Sequence, residues 1–257
     1  MTDTKLSNTP LRGFNYLLKS VSIATKPGIK RFVFIPLLIN VFIFIFALWL
    51  GIHYFSVFMG DMLDFSGLWE WVQSLLSFIK PLLWLIFFAA YLMLVFFGFS
   101  ILANLIAAPF NSLLAEATEQ YLTGGKISEK TDIKQLLKEL LPLLIMELKK
   151  MVYFITRAIP LLVLFVIPLT APFAPILWFL FSAWMMSLQY MDYPMGNHQI
   201  DFKKQRSLQK SKRLFSMGYG AGVLVATMIP LLNFLIIPLA VISATQIWVE
   251  NFKDSIQ

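Results

Sequence analysis

Apolar positions along the chain gather into four long stretches without formal charge. These stretches are Phe32 to Gly60, Pro81 to Ala115, Ala158 to Met191 and Leu214 to Val249. A helix needs about 20 apolar residues to cross the hydrocarbon layer of a bilayer, and each stretch is longer than that. The pattern predicts an all-α integral membrane protein.

The first two stretches have no proline cluster near their centres. Each predicts one long transmembrane helix, over 32–60 and 81–115, that tilts within the bilayer or projects beyond it. The segment between them, Asp61 to Lys80, is net acidic and carries Trp69 and Trp71, residues typical of a membrane interface. This segment is predicted to be an external loop.

The other two stretches, 158–191 and 214–249, are interrupted by prolines at Pro168, Pro172 and Pro175 and at Pro230 and Pro238. Proline removes a helix donor and clashes with the preceding turn, so each stretch predicts a helical hairpin. The apolar arms would be Ala158 to Ile167, Ile176 to Met191, Leu214 to Ile229 and Leu239 to Val249. At about 15–24 Å each, these arms are predicted to penetrate the membrane only partly.

The segment from Ser128 to Arg157 mixes charged residues with leucines at helical spacing. This spacing predicts an amphipathic helix that lies on the cytoplasmic face and runs into the third apolar stretch. Pro142 is predicted to kink it.

Composition supports one membrane domain over residues 1–257. Apolar residues make up 58% of the chain and charged residues 14%, with a mean hydropathy of +0.74, whereas a soluble domain carries about 25% charged residues. No long polar segment remains that could fold separately.

The absence of cysteine excludes disulfides, thiolate metal ligands and a cysteine nucleophile.

Charge placement predicts the orientation in the membrane. Basic residues dominate before Phe32 and between Asp192 and Arg213, whereas Asp61 to Lys80 is acidic. By the positive-inside rule the N-terminal segment 1–31 is cytoplasmic, and everything from Glu116 to the C-terminus returns to the cytoplasm. Orientation therefore explains the net charge of +7, and nucleic acid is not a predicted partner.

The first apolar stretch is too long for a cleavable signal peptide and predicts a retained helix.

The sequence contains few residues that could take part in catalysis. The chain has two histidines, His53 and His198, with no metal-ligand spacing and no glycine-rich phosphate loop. We therefore expect no enzyme activity, no cofactor and no metal.

The segment Thr25 to Arg31, just before the first long helix, is a candidate anion site. Its members Gly28, Ile29, Lys30 and Arg31 would combine helix-start amides with two cations. The alternative is that Lys30 and Arg31 are ordinary positive-inside anchors, which composition alone favours.

Polar residues in or beside the apolar stretches are candidates for a translocation path: Asn40, Asn104, Asn111, Glu116 and Asn233. The asparagines could equally form hydrogen bonds between helices. Glu116 and Glu119 could pair with Arg157 or Lys150, or take part in proton coupling. The sequence leaves these alternatives open.

Four segments resemble the CysZ sulfate permease family over nearly the whole chain. They are Pro27 to Phe32; Ala103 to Asn111 with Leu113 to Glu116; Leu177 to Met185 with Gln189-Tyr190, Asp192 to Pro194 and Asn197-His198; and Met228 to Asn233. The resemblance implies two long transmembrane helices and two partly penetrating helix pairs, assembled as a homo-oligomer capable of dual topology.

The resemblance also implies sulfate uptake across the bacterial inner membrane for cysteine biosynthesis. Sulfate would bind at Gly28, Ile29, Lys30 and Arg31, among surrounding membrane lipid. The family often has arginine where this chain has Lys30, and lysine offers a point charge in place of a planar fork. The alternative function is a membrane interaction or regulatory subunit that binds anionic lipid or a partner protein. Whether transport would follow a channel or a carrier mechanism stays open.

Overall fold

The computed structural model describes residues 9–62, 64, 67, 69–125 and 133–255, without the side chains of 56, 62, 94–108, 133–144 and 230–234. Every regular element in these ranges is a helix, which confirms the all-α class. In chain order the elements are α1 (Pro10–Ala24), α2 (Lys30–Met62), α3 (Glu70–Leu122), α4 (Ile133–Val166), α5 (Ala174–Asn197), α6 (Phe202–Ser211), α7 (Arg213–Thr227), α8 (Pro230–Asn251) and a 3₁₀ helix (Lys253–Ser255).

The chain divides into two compact units. The paired-helix unit comprises Ile35–Ala108, and the core unit comprises Met1–Phe34 with Pro109–Gln257. Helices α2 and α3 each contribute to both units.

The two candidate membrane spans are Lys30–Asp61 on α2 and Glu70–Met93 on α3. The paired-helix unit holds the second span and all of the first span from Ile35 onward. Phe55 of α2 packs its ring against Trp84 and Phe88 of α3, and the Tyr91 hydroxyl donates to the Ala47 carbonyl. Other apolar side chains point outward, such as Phe78, which is 87% exposed. Apolar surface of this kind is stable in lipid. The protein therefore has two candidate membrane-spanning helices, and the bounds 32–60 and 81–115 of the transmembrane helices stay a prediction.

The predicted loop Asp61 to Lys80 is too long. Helix α3 begins at Glu70 and continues through Lys80 and Pro81. The prediction placed the helix start where formal charge ends. Charge indicates where a helix leaves the hydrocarbon layer, and a helix can extend into water beyond that point.

The core unit is built around α5, α7 and α8. Helix α1 packs on α7 and α8, α5 packs on the same two helices, and α4 packs on α5 and α6. Leu188, Tyr219 and Ala240 are completely buried at the centre. The N-terminal segment, predicted only to be cytoplasmic, thus contains a helix whose buried positions Gly13, Tyr16, Leu17 and Ser20 follow helical spacing.

Two glycines set the close approach of helices in this unit. A Cβ on Gly13 of α1 would overlap the carbonyl oxygen of Phe215 on α7. A Cβ on Gly220 of α7 would overlap the carbonyl oxygen of Ala183 on α5. Small residues let helix backbones approach closely and gain van der Waals contact.

The third apolar stretch breaks at its proline cluster. Helix α4 ends at Val166 and α5 begins at Ala174, and the Thr170 hydroxyl donates to the Leu164 carbonyl across the turn at 2.8 Å. Residues 133–157 of the predicted amphipathic segment and residues 158–166 of the first hairpin arm form one continuous helix, α4. Residues 128–132 lie outside the described part of the chain. How deeply these helices enter a membrane stays a prediction.

The fourth apolar stretch breaks once, between α7 and α8 at Met228 and Ile229. Pro230 takes a first-turn position in α8. Backbone N–H groups in the first turn have no acceptor within the helix, so a proline there removes no helical hydrogen bond. The predicted break at Pro238 is wrong, because α8 runs straight through it. The residues that follow, Ala240 and Val241, are completely buried, and this packing offsets the missing backbone hydrogen bond.

Candidate functional site

The predicted anion segment forms the turn between α1 and α2. Gly28 has a φ of 87°, a left-handed conformation that glycine adopts without steric cost. Ile29 is completely buried, Lys30 is exposed and Arg31 is half-buried. The Arg31 guanidinium lies 4.8 Å from the centre of the Phe32 ring. The buried isoleucine therefore fixes the turn, while Lys30 is exposed and the Nε atom of Arg31 is shielded from solvent.

Backbone amides at this turn are already partly used. The Ile29 and Lys30 N–H groups donate to the Lys26 carbonyl at 3.2 and 3.1 Å, and the Phe32 N–H donates to the Ile29 carbonyl at 3.0 Å. Helix α2 starts at Lys30, two residues before the predicted helix over 32–60. An anion here would consequently depend on the two side-chain cations more than on unpaired amides.

A polar cluster joins the end of α3 to the end of α5. The Asn111 side-chain amide donates to the Tyr193 hydroxyl at 3.2 Å. The Ser112 hydroxyl donates to Asn197 Oδ1 at 2.6 Å, and Asn197 Nδ2 donates back to the Ser112 carbonyl at 2.9 Å. Asn111 is 8% exposed. Its described contact is a hydrogen bond between helices, which is one of the two roles that the sequence left open.

Glu119 connects α3 to both α5 and the C-terminal 3₁₀ helix. Its carboxylate lies 2.9 Å from His198 Nε2 and accepts from Lys253 Nζ at 2.8 Å. Burial raises the pKa of this carboxyl, but the hydrogen bonds with Lys253 and His198 outweigh burial and hold the pKa below its ordinary value. Glu119 therefore pairs with these two partners rather than with Arg157 or Lys150.

Lys150 forms the centre of a buried ionic cluster that the sequence did not predict. Its side chain is 3% exposed, and Nζ donates to Asp192 Oδ2 at 2.8 Å and to Glu147 Oε1 at 2.6 Å. Gln205 Nε2 donates to the other Asp192 oxygen at 2.8 Å. Burial lowers the pKa of the Lys150 ammonium, but the two carboxylates outweigh burial and raise it. The feature of the sequence that could have indicated this cluster is Asp192, an isolated charge at the end of an apolar stretch.

The remaining path candidates are Glu116, Asn40, Asn104 and Asn233. Glu116 is exposed and accepts from Gln120 at 2.9 Å along its own helix. Asn40 belongs to the paired-helix unit, and its Oδ1 is buried without a hydrogen-bond partner among the described residues. The side chains of Asn104 and Asn233 lie outside the described part of the chain. The role of these residues in a path stays a prediction.

Two apolar helices long enough to cross a bilayer, joined to a helical core unit, define an integral membrane protein. A family model described as "Sulfate transporter CysZ/Etoposide-induced protein 2.4" matches residues 16–238. Because this match covers most of the chain, the protein belongs to that family, which is a transporter-type family rather than a family of enzymes. The resemblance found in the sequence is thereby confirmed.

Proposed function

We propose that this protein is a sulfate permease of the bacterial inner membrane that supplies sulfate for cysteine biosynthesis. Membership of the sulfate transporter family supports the substrate. Two candidate membrane spans support an integral membrane location. Transport needs no ATP site in this proposal, since the sulfate gradient or a coupled ion would provide the driving force.

The observation that carries the proposal is the basic turn at the start of α2. Lys30 and Arg31 stand together at the first residues of a candidate membrane span, and Ile29 anchors the turn in the core. A dianion entering the membrane loses hydration, and cations at a helix N-terminus, where the dipole is positive, replace part of that stabilisation. We therefore assign initial sulfate binding to Gly28, Ile29, Lys30 and Arg31.

The path and the assembly are further parts of the proposal. Asn40, Asn104, Asn111, Glu116 and Asn233 would contribute polar groups to the route, and the pairs α4–α5 and α7–α8 would enter the membrane only partly. Outward-facing apolar side chains on α2 and α3 favour contact with lipid or with further copies of the chain, so we propose a homo-oligomer.

Radiolabelled sulfate uptake into proteoliposomes that contain only this protein tests the proposal. The wild type is compared with a Lys30→Ala, Arg31→Ala double variant, and a Lys203→Ala, Lys204→Ala variant is the matched control because it removes two exposed cations from α6. We expect uptake to fall at least tenfold in the first variant and to stay unchanged in the second.

Other outcomes would change the assignment. Undiminished uptake by the Lys30 and Arg31 variant would reduce these residues to orientation anchors. No uptake by folded wild-type protein would favour the alternative function, a membrane interaction or regulatory subunit.

A further inference from the structure

A cavity of about 610 Å³ lies in the core unit among α4, α5, α6 and α7. This volume is in the range of ordinary small-molecule sites. The Gly28 to Arg31 segment and the Glu119 contacts do not line the cavity. The sulfate transport proposal therefore leaves it without a role.

The lining of this cavity is strongly basic. Four cationic side chains line it: Arg157, Arg206, Lys210 and Arg213. Within the described part of the chain none of the four forms an ion pair, and no carboxylate lines the cavity. Four like charges around one space repel each other, so the cavity favours an anionic occupant.

Two of the cations lie against the same aromatic ring, that of Tyr153. The Arg206 guanidinium lies 4.9 Å from the centre of the Tyr153 ring, and Arg157 lies 5.3 Å from the same ring. The Trp184 indole N–H donates to the Tyr153 hydroxyl at 3.2 Å, which fixes that ring. The two guanidiniums are therefore oriented before any ligand arrives, and planar donors of this kind match phosphate oxygens.

The cavity also has an apolar part in its lining. This part comprises Pro160, Leu161, Leu177, Leu180 and Phe181. The same helices continue outward with exposed apolar side chains, including Ile159 at 56% and Ile176 at 60%. A small hydrated anion would gain nothing from these walls, whereas an acyl chain would bury its surface against them.

We propose that this cavity binds an anionic phospholipid, with its phosphate among the four cations and its acyl chains along Leu161, Leu177 and Leu180. The occupant needs both a phosphate and an attached hydrocarbon chain, because the cavity offers both kinds of wall. Basic pockets beside membrane helices are recurring sites for such headgroups. The site is separate from sulfate transport and does not depend on it.

Lipid binding to the full chain in mild detergent, counted by native mass spectrometry, tests the proposal. The probes are phosphatidylglycerol and phosphatidylcholine with identical acyl chains. We expect phosphatidylglycerol to bind at least tenfold more tightly. A Lys210→Gln, Arg213→Gln variant, which changes two exposed side chains, should weaken that binding by roughly tenfold.

The matched control is Lys203→Gln, Lys204→Gln, which removes the same charge from exposed positions of α6 outside the cavity. It should leave phosphatidylglycerol binding unchanged, and both variants should keep the wild-type unfolding midpoint. Equal weakening by both variants, or weakening by neither, would overturn the proposal. Displacement of the lipid by free sulfate at constant ionic strength would also overturn it and would indicate a site for small anions.

Discussion

Lys150 and Asp192 illustrate how a single buried ion pair can be held in a largely apolar protein. Removing a charge from water costs several kcal/mol, and the cost is recovered only with close pairing and further hydrogen bonds to the charged groups. Here the lysine contacts two carboxylates, and the second Asp192 oxygen accepts from Gln205. The pair joins α4 to α5, with α6 completing it.

We expect Lys150→Met to destabilise the protein strongly, by about 3–5 kcal/mol, because it leaves the Asp192 carboxylate buried without its cation. The measurement is the unfolding midpoint in detergent. Lys149→Met is the matched control, since Lys149 pairs with Asp201 at the exposed surface and should cost at most about 1 kcal/mol. The double variant Lys150→Met, Asp192→Leu should recover most of the lost stability, which would confirm that the unpaired carboxylate is the cause. Equal destabilisation by Lys150→Met and Lys149→Met would contradict this explanation.

The stability of the protein should depend on pH because of the Glu119 carboxylate. Its pKa is lowered in the folded protein from an ordinary value of 4.5. The stabilisation is therefore complete above about pH 4.5 and is lost as the pH falls through the folded pKa. Unfolding midpoints measured between pH 3 and pH 7 should decline at the acidic end, and Glu119→Gln should show a smaller decline. An identical pH profile for the two proteins would refute this role.

Helix α7 is the element on which the core unit depends most directly. It packs against α1 on one face and α5 on the other. The glycines Gly218, Gly220 and Gly222 all lie where an added Cβ would meet a neighbouring helix. A helix with glycines at these positions is intrinsically weak, so its stability depends on the contacts that the glycines permit.

Gly220→Val should lower the unfolding midpoint in detergent by several degrees or prevent folding. The added side chain overlaps the Ala183 carbonyl oxygen and forces α5 and α7 apart. Gly196→Ala is the control, because its Cβ would lie 3.8 Å from Asp192 Oδ1 at an ordinary contact distance. A control as damaging as Gly220→Val would contradict the packing argument.

The proline pattern shows what the sequence can predict about elements. Pro168 and Pro172 lie at exposed positions between α4 and α5, and local chemistry ends α4 there. Pro238 has the same local chemistry, yet the packing around Ala240 and Val241 keeps α8 continuous. Local propensity predicts an element well only where long-range packing does not oppose it.

The candidate site also has parts that the sequence can predict and parts that it cannot. Gly28 to Arg31 is contiguous, so the sequence alone could indicate it. The Lys150–Asp192 pair joins residues 42 positions apart, and the Asn111–Tyr193 contact joins residues 82 apart. Nothing in a single sequence specifies which of many polar residues meet across such distances.

For the whole molecule, charge asymmetry predicts one dominant orientation in the membrane. The Asp61 to Lys80 segment should face outward and the C-terminus inward. Because the chain contains no cysteine, single introduced cysteines can report this directly. We expect a membrane-impermeant maleimide to label Gly67→Cys in intact spheroplasts and to label Ser255→Cys only after lysis. Equal labelling of both in intact spheroplasts would contradict a single orientation and would indicate dual topology.

The most direct test of the central claim is the initial rate of sulfate entry into liposomes that contain the wild-type protein and no other. We predict a rate well above that of protein-free liposomes, one that saturates as the sulfate concentration rises. A rate equal to that of protein-free liposomes, with protein shown to be folded and inserted, would contradict the assignment of sulfate transport to this chain.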